Sequence, residues 1–332
     1  GAHHHLHSSP TRRSSDLDYL LCEKNIQWQY ARQLGIEHAV IRLPEDDRFD
    51  VTDPSHWQSI YDRFTASGLK PVVIEPMPNA LHDHIKLGDS QRDACIDKVI
   101  RMLPIMEKLD IRTICVNFMA HIGWLRTAHG IPERGGALVT GFRLEDFQAP
   151  AGLAITEDAL WANLAYFLKA VMPHAEKHQI QIALHPDDPP IARLGNISRI
   201  LVSLTNIQQA INLVPSDCLG VTFCQATYAA MGEDIVQAAT NLAQAGKIFF
   251  IHFRDIRGDK TDFHETFHDN GQTDMARMVR LYHDLGLTVP VRVDHVPTMA
   301  GETNQTPGYA TVGRLFAIGY LKGLMDAVEL GM

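Results

Sequence analysis

The sequence predicts one α/β domain folded as a (β/α)8 barrel, and three observations carry that reading. Short apolar runs alternate with helical stretches at roughly thirty residues or more per pair. No G-x-G-x-x-G follows any of the runs, which argues against a dinucleotide-binding sheet. Four consecutive runs end in a residue able to bind a metal: His185, Cys224, His252 and Asp294. A barrel places its active site at the C-terminal ends of its strands, so those residue types belong there.

The elements follow in order. A helical pattern over 25–34 is closed by Gly35, and HAVIRL (38–43) reads as a strand. The pattern over 54–67 is helical and stops at Gly68; KPVVIE (70–75) is the next strand. IKLGDS (85–90) reads as a polar loop before an amphipathic helix over 91–109, and RTICVNF (112–118) as a strand. An insertion over 119–154 is rich in Gly, Pro and charge and holds Trp124 and Phe142. Loops this long are functional or disordered more often than not, so it reads as a lid over a site, or else as a decoration of the barrel. Helices over 155–177, 197–213, 233–245, 275–285 and 309–330 then alternate with strands over 179–184, 219–223, 247–253 and 289–293.

That makes seven strands, with the first of eight unaccounted for. The opening GAHHHLHSSPTRRSSDL, residues 1–17, has no periodicity and reads as a non-native tag or scar, TRRSSDL resembling a translated sequencing adapter. On that reading the native start, and the first strand with it, is missing or replaced, and the barrel domain occupies 18–332. The rival reading of the His cluster is a metal-binding tract.

Composition bounds the function. The chain has 332 residues, 45% hydrophobic and 21% charged, with a net charge of −9. An acidic chain without a basic face is not a general nucleic-acid binder. No run is long and apolar enough for a membrane span, so no membrane partner is expected. The five cysteines are scattered and lack CxxC spacing, which suits a reducing compartment; no signal peptide is apparent, so a cytoplasmic location is expected.

A lone His or Cys at a strand end packs more often than it ligates, and a lone Asp often caps the next helix. Four in one register on neighbouring strands, about 4.8 Å apart, converge on a point and outweigh that reading. Cys favours zinc or iron over magnesium, while His and carboxylate also suit manganese. Arg254 lies two residues beyond His252, on the same face, where it would grip a substrate carboxylate or form an ion pair with Asp255 or Asp187. Asp187 and Asp188, in the stiff turn LHPDDPP, would orient a ligand or cap the turn. Lys86 is a substrate-binding cation or a surface lysine. HETFH (264–268) has HExxH spacing, but Asp269, Asn270 and Gly271 follow at once, so no zinc-protease helix is expected.

The stretches LHPDDPP, GVTFC, HFRD, FHETFHDNGQTDM, RVDH and PGYATVGRLFAIGYLKGL, with IKLG, Arg92 and Asp93, VNFM and WLRT upstream, resemble the mannonate dehydratase family of hexuronate catabolism. The likeness runs from about residue 25 to the C-terminus. It implies a xylose-isomerase-like barrel, a lyase that converts D-mannonate to 2-dehydro-3-deoxy-D-gluconate and water using Mn2+ or Fe2+. It assigns the metal to His185, Cys224, His252 and Asp294, and acid–base roles to His295 and Tyr309. Asn117, in VNFM, and His264, in HETFH, complete the substrate-binding candidates beside Arg254 and Lys86. Family members assemble as homo-oligomers, so a dimer or tetramer is implied.

There are departures. The family more usually has RPDHG where this chain has Arg292, Val293, Asp294, His295 and Val296. MAHIGW, before and through Trp124, lacks the usual Pro and Asp, and QATYAA, after Cys224, lacks the usual Gly and Ser. A related aldonate is therefore an alternative substrate. A sugar isomerase or epimerase on the same barrel is a second alternative, disfavoured by Cys224 and the lack of a catalytic Glu pair. A sugar-acid or metal-binding protein without turnover is a third.

Overall fold

A computed structural model describes residues 16–332. Eight parallel strands close a barrel: β1 (Asp16–Leu21), β2 (His38–Arg42), β3 (Lys70–Ile74), β4 (Thr113–Val116), β5 (Gln181–Leu184), β6 (Leu219–Cys224), β7 (Ile248–Phe253) and β8 (Val291–Val293). Helices α1 (Ile26–Gln33), α2 (Pro54–Ala66), α3 (Asn79–Leu87), α4 (Arg92–Lys108), α5 (Glu157–His178), α6 (Leu204–Ile211), α7 (Gln225–Met231), α8 (Ile235–Gln244), α9 (Met275–Asp284) and α10 (Thr311–Glu329) lie between and after them. Among the described residues, no helix is long and apolar enough to cross a membrane.

The predicted barrel is present, but the missing first strand is not missing. DLDYLL forms β1, pairing Asp16 with Val291 on one side and Leu17 to Leu21 with His38 to Arg42 on the other. Two aspartates in six residues hide the apolar alternation. Leu17 faces the lumen with Val40, Val73, Cys115 and Phe250. Leu20 joins the layer beneath the helices. Asp18 is tolerated because Arg314 of α10 reaches it at 3.5 Å and also donates to the Tyr19 carbonyl at 2.9 Å. The expectation for 1–15 falls outside the described residues.

Three further differences concern the loops. IKLGDS is not a loop throughout: Ile85, Lys86 and Leu87 end α3, which stops at Gly88 in the left-handed conformation that glycine adopts without strain. The stretch after Cys224 is helical as α7, with Gln225, Ala226, Thr227, Tyr228 and Ala230 buried. The helix read over 197–213 is shorter, because Arg193–Leu194 and Ile197–Ser198 form a small hairpin before α6.

The insertion has structure of its own. Its strands Ala128–Pro132 and Leu138–Arg143 join Asp262–Glu265 and Ile256–Asp259, from the charged loop after β7, in a four-stranded antiparallel sheet. Phe142, Phe263, Ile256 and Ile191 form a small core beneath it. The insertion thus packs over the mouth of the barrel as one folded unit with the β7 loop.

Strand parity sets the mouth. Side chains two apart along a strand share a face. The lumen residues Val73, Cys115 and Phe250 are therefore followed inward by Glu75, Asn117 and His252. Cys224 sits opposite His252 in the parallel pairing of β6 with β7.

Gly220 of β6 is crowded by Phe249 of β7 and by Lys247 just before it. A Cβ there would lie 2.5 Å from the Lys247 carbonyl oxygen and 2.6 Å from a Phe249 ring carbon. Gly220→Ala should destabilise the fold by about 1–3 kcal/mol, read as a lowered midpoint in chemical denaturation.

Candidate active site and metal centre

A cavity of about 610 Å³ opens at the C-terminal ends of the strands. His185, His252, Asp294, His295, Tyr309, Asp188, Asn117 and Lys86 line it, as do Glu75, Arg292, Tyr19 and Trp124. Cys224 is fully buried immediately behind this surface.

The four predicted metal ligands converge. His185 Nε2 lies 3.1 Å from His252 Nδ1, and His252 Nδ1 lies 3.5 Å from Asp294 Oδ2. One ligand atom each of His185, Cys224 and His252 falls within a 4.8 Å span. These separations suit donors sharing one ion.

Each side chain is held in a form that can ligate. His185 Nδ1 donates to the Pro186 carbonyl at 2.6 Å, so its Nε2 lone pair faces the centre. Burial lowers the His185 pKa, favouring neutral imidazole against the pull of Glu75, Asp294 and Asp188. Burial raises the Cys224 thiol, but the Arg254 guanidinium, 3.3 Å from Sγ, and His252 outweigh it and bring it below its usual value. Burial likewise works against the Asp294 carboxylate. Arg292, with His295, His252 and Arg254, overrides it and holds the group well below the usual range.

His252 Nε2 and Asp294 Oδ1 face away from this centre, toward Glu75 Oε1 at 3.1 Å and Arg292 Nη1 at 2.8 Å. That leaves His185 Nε2, His252 Nδ1 and Asp294 Oδ2 converging beside a thiolate-favouring cysteine, a donor set that fits a divalent metal site.

Two other clusters have comparable spacing, Glu75–Cys115–His252 and Asp188–Glu265–His295. Burial holds the Cys115 thiol protonated, and Arg292 engages both Glu75 oxygens at 2.7 and 2.8 Å, so the first is poorly disposed to a cation. The second already contains two arginines.

Those arginines correct one expectation. Arg254 does not face the cavity. Its Nη2 donates to Asp188 at 2.5 Å and to Thr227 at 2.8 Å, its Nη1 to Glu265 at 2.5 Å, and its Nε to Cys224. It is not among the cavity-lining residues, so it is not placed to take a substrate carboxylate. Nor is its carboxylate partner Asp255 or Asp187. Arg126, from the insertion, binds Asp188 at 2.7 and 3.0 Å and also Glu265. The four charges form one closed, buried network.

His264 is corrected too: it lies half-buried on Asp262–Glu265, opposite Gly141, outside the cavity lining. Asp187 turns away from the ligands and accepts the Ile200 and Leu201 amides at 3.1 Å, so it shapes the turn. HETFH is not a metal motif here. His268 is buried and bonded to the Phe253 carbonyl at 2.8 Å, with burial lowering its pKa to about 4.

Above the metal ligands stand the two proton-transfer candidates. His295 Nε2 lies 3.1 Å from Tyr309 Oη, and His295 Nδ1 lies 3.0 Å from Glu265 Oε1. His295 has φ +32°, a strained value for a non-glycine residue and of a kind found at functional sites. The Trp124 ring lies 4.9 Å from the His295 ring. Sequence reasoning missed Glu75, although it ends a strand at the same parity as the ligands. It also missed Arg126, whose partners stand 62 and 139 residues away.

The family model described as D-mannonate dehydratase (UxuA) matches residues 19–149 and 143–332. The mannonate dehydratase of Streptococcus agalactiae serotype III (strain NEM316) is 33% identical over 327 residues, covering 90% of this chain and 92% of that protein. Mannonate dehydratase 2 of Halalkalibacterium halodurans is 32% identical, covering 79% and 84%. The crystal structure of mannonate dehydratase from Streptococcus suis serotype 2 superposes with a TM-score of 0.86 at 26% identity, covering 96% of this chain and 95% of that one. An L-ribulose 3-epimerase shares the fold at a TM-score of 0.58 and 14% identity, covering 91% and 89%.

Arg126→Met should cost about 3–5 kcal/mol, because it leaves Asp188 and Glu265 buried around one arginine. In chemical denaturation, the double variant Arg126→Met with Glu265→Gln should be less destabilised than the sum of its parts.

Proposed function

The chain belongs to the mannonate dehydratase family, and from that premise we propose how its own residues carry out the family's hydro-lyase reaction. Water leaves D-mannonate, and 2-dehydro-3-deoxy-D-gluconate remains. The observation that carries the assignment of residues is the His295–Tyr309 contact directly above four convergent metal ligands.

His185, Cys224, His252 and Asp294 would hold the ion, which we take from the family resemblance to be Mn2+ or Fe2+; the thiolate favours iron and the imidazoles and carboxylate accept either. A divalent ion there supplies Lewis acidity, making the hydrogen at C2 of a bound sugar acid easier to remove. All proton movement belongs to the protein.

Burial raises the Tyr309 phenol above its ordinary pKa, and Asp294 adds to that, so Tyr309 keeps its proton at neutral pH. We assign it as the acid. His295 is the base. His295 Nδ1 lies 3.0 Å from Glu265 Oε1 and 2.7 Å from Arg254 Nη1. In the tautomer that donates Nδ1–H to Glu265, the Nε2 lone pair is free to act as the base. His295 Nε2 takes the C2 proton while Tyr309 Oη protonates the departing C3 hydroxyl. The enol that remains tautomerises to the 2-keto acid. Trp124 and the insertion shield this pair, which keeps the proton transfers out of bulk water.

Purified protein with Mn2+ and D-mannonate should yield a 2-keto-3-deoxy acid in a colorimetric assay. Absence of product from D-mannonate and every other C6 aldonate would overturn the assignment. A parallel screen of C5 aldonates tests the related-substrate alternative that the changes at Val293, Val296 and His121 raise. His295→Asn and Tyr309→Phe should each lower kcat by about 10²–10⁴ while bound metal, measured by elemental analysis, stays at the wild-type level. Cys224→Ser should instead lower the bound metal itself.

A further inference from the structure

The cavity wall formed by α3 carries a buried cation that, among the described residues, makes an ion pair only with an exposed carboxylate. Lys86 lies in the last turn of α3, with only 3% of its side chain exposed, and it lines the cavity. Its one carboxylate contact is Asp83 at 3.3 Å, whose side chain is 57% exposed and well hydrated. The other cavity cations are compensated or wet. Arg292 has Glu75 and Asp294. Arg314 has Asp18. Arg42 pairs with Glu45 at 3.0 Å and is itself 43% exposed.

The surroundings of Lys86 sharpen this imbalance. Arg199 behind it is also buried, yet its donors go to the carbonyls of Pro189, Ile122 and Gly123 at 2.8–3.0 Å rather than to a carboxylate. The nearby buried acid, Asp187, attracts Lys86 from a distance but forms no ion pair with it, and one of its oxygens binds backbone amides. His82, one turn back on α3, is fully buried with both ring nitrogens unpartnered. Burial, reinforced by Lys86, holds it neutral. An ammonium carries three donors, and at most one of them is engaged here. A buried charge in low-dielectric surroundings interacts strongly with an anion that reaches it.

We propose that Lys86 is the anion-recognition residue of the cavity and that it receives the carboxylate of the sugar acid. The proposal rests on the reading above that the substrate is a sugar acid. It gives the substrate a direction: carboxylate end toward α3, with C2 and C3 toward His295 and Tyr309. The unpaired electrostatics of the wall then serve the difference between an aldonate and the corresponding neutral polyol.

Steady-state kinetics of Mn2+-loaded protein on D-mannonate test it. Lys86→Met should raise KM by about tenfold to a hundredfold, the range for losing a hydrogen bond to a charged group, with a much smaller change in kcat. Lys86→Arg should restore part of the loss. D-mannitol, the same carbon chain without the carboxylate, should compete weakly against the wild type, and that discrimination should shrink in Lys86→Met. The melting temperature of ligand-free Lys86→Met should equal or exceed that of the wild type, since a merely structural lysine would leave the variant less stable. An unchanged KM in folded Lys86→Met, or a wild type that binds D-mannitol as tightly as D-mannonate, overturns the proposal. If Lys86→Met does not fold, Lys86→Arg and the wild-type polyol comparison decide it. Thermal shifts with D-mannonate and D-mannitol need no turnover. A wild type that is stabilised by D-mannonate but converts no aldonate would therefore overturn the reaction and leave the anion site standing.

Discussion

Two arginines and two carboxylates, all shut off from water, hold the mouth of this barrel together. Arg126 and Arg254 each bind both Asp188 and Glu265. Each of the four comes from a different piece of chain: the insertion, the end of β7, the turn after β5 and the antiparallel sheet. Burying one such charge alone would cost several kcal/mol, so the network forms as a whole or is strongly unfavourable. That constraint decides what the insertion is. A loose decoration would have no reason to send Arg126 inward, whereas a folded cover pinned at Asp188 does. The same network fixes Glu265 beside His295, so the cover and the proposed proton-transfer pair are held by one set of contacts.

The charge pattern around the cavity follows from compensation at close range, not from the net charge of −9. Glu75 and Arg292 make a second buried pair on the far wall, at 2.7 and 2.8 Å, with His252 between that pair and the metal ligands. Burial alone would neutralise Glu75, but Arg292 and then His252 hold its carboxylate well below the usual range. Acids and bases therefore alternate around the rim in pairs. The exception is the α3 wall, where Lys86 makes no close ion pair with a buried carboxylate among the described residues, Asp187 acting on it only from a distance.

The barrel was legible because its strands are apolar runs that end abruptly in polar residues. The four metal ligands were legible for the same reason, as each ends a run at the same inward parity. What hid the rest was physical. β1 carries two aspartates, and the buried Asp18 is compensated by Arg314 almost 300 residues later, so no local pattern announces it. α3 mixes His, Asp and Lys with its apolar positions because one face lines a wet cavity, and a stripe interrupted in that way reads as loop. α7 lacks the polar face of a surface helix because nearly all of it is buried. Arg254 was misread because the parity argument holds only while the strand continues. Phe253 is the last strand residue, and beyond it the side chain turns into the salt network. The resemblance to a family supplied His295 and Tyr309, which no spacing would have paired across a loop.

The site is thereby built at two levels with different freedom to change. The ligands sit on strand ends whose positions are fixed by backbone pairing, and a shift of one residue would turn an entire strand inside out. The proton-transfer pair and the cavity rim sit on loops and on the cover, at positions set by side-chain contacts. Substitution at His121, which lines the cavity from the loop after β4, can reshape the space around a substrate without moving His185 or His252. A change at Glu265 has no such freedom, because its carboxylate serves the cover, the network and His295 together. The residues that distinguish this chain from its relatives are thus expected at the rim, and the shared ones at the strand ends and in the network. At RVDHV, Arg292, Asp294 and His295 line the cavity, while Val293 and Val296 pack in the core behind it, so the changes there reach a substrate only through the side chains they support.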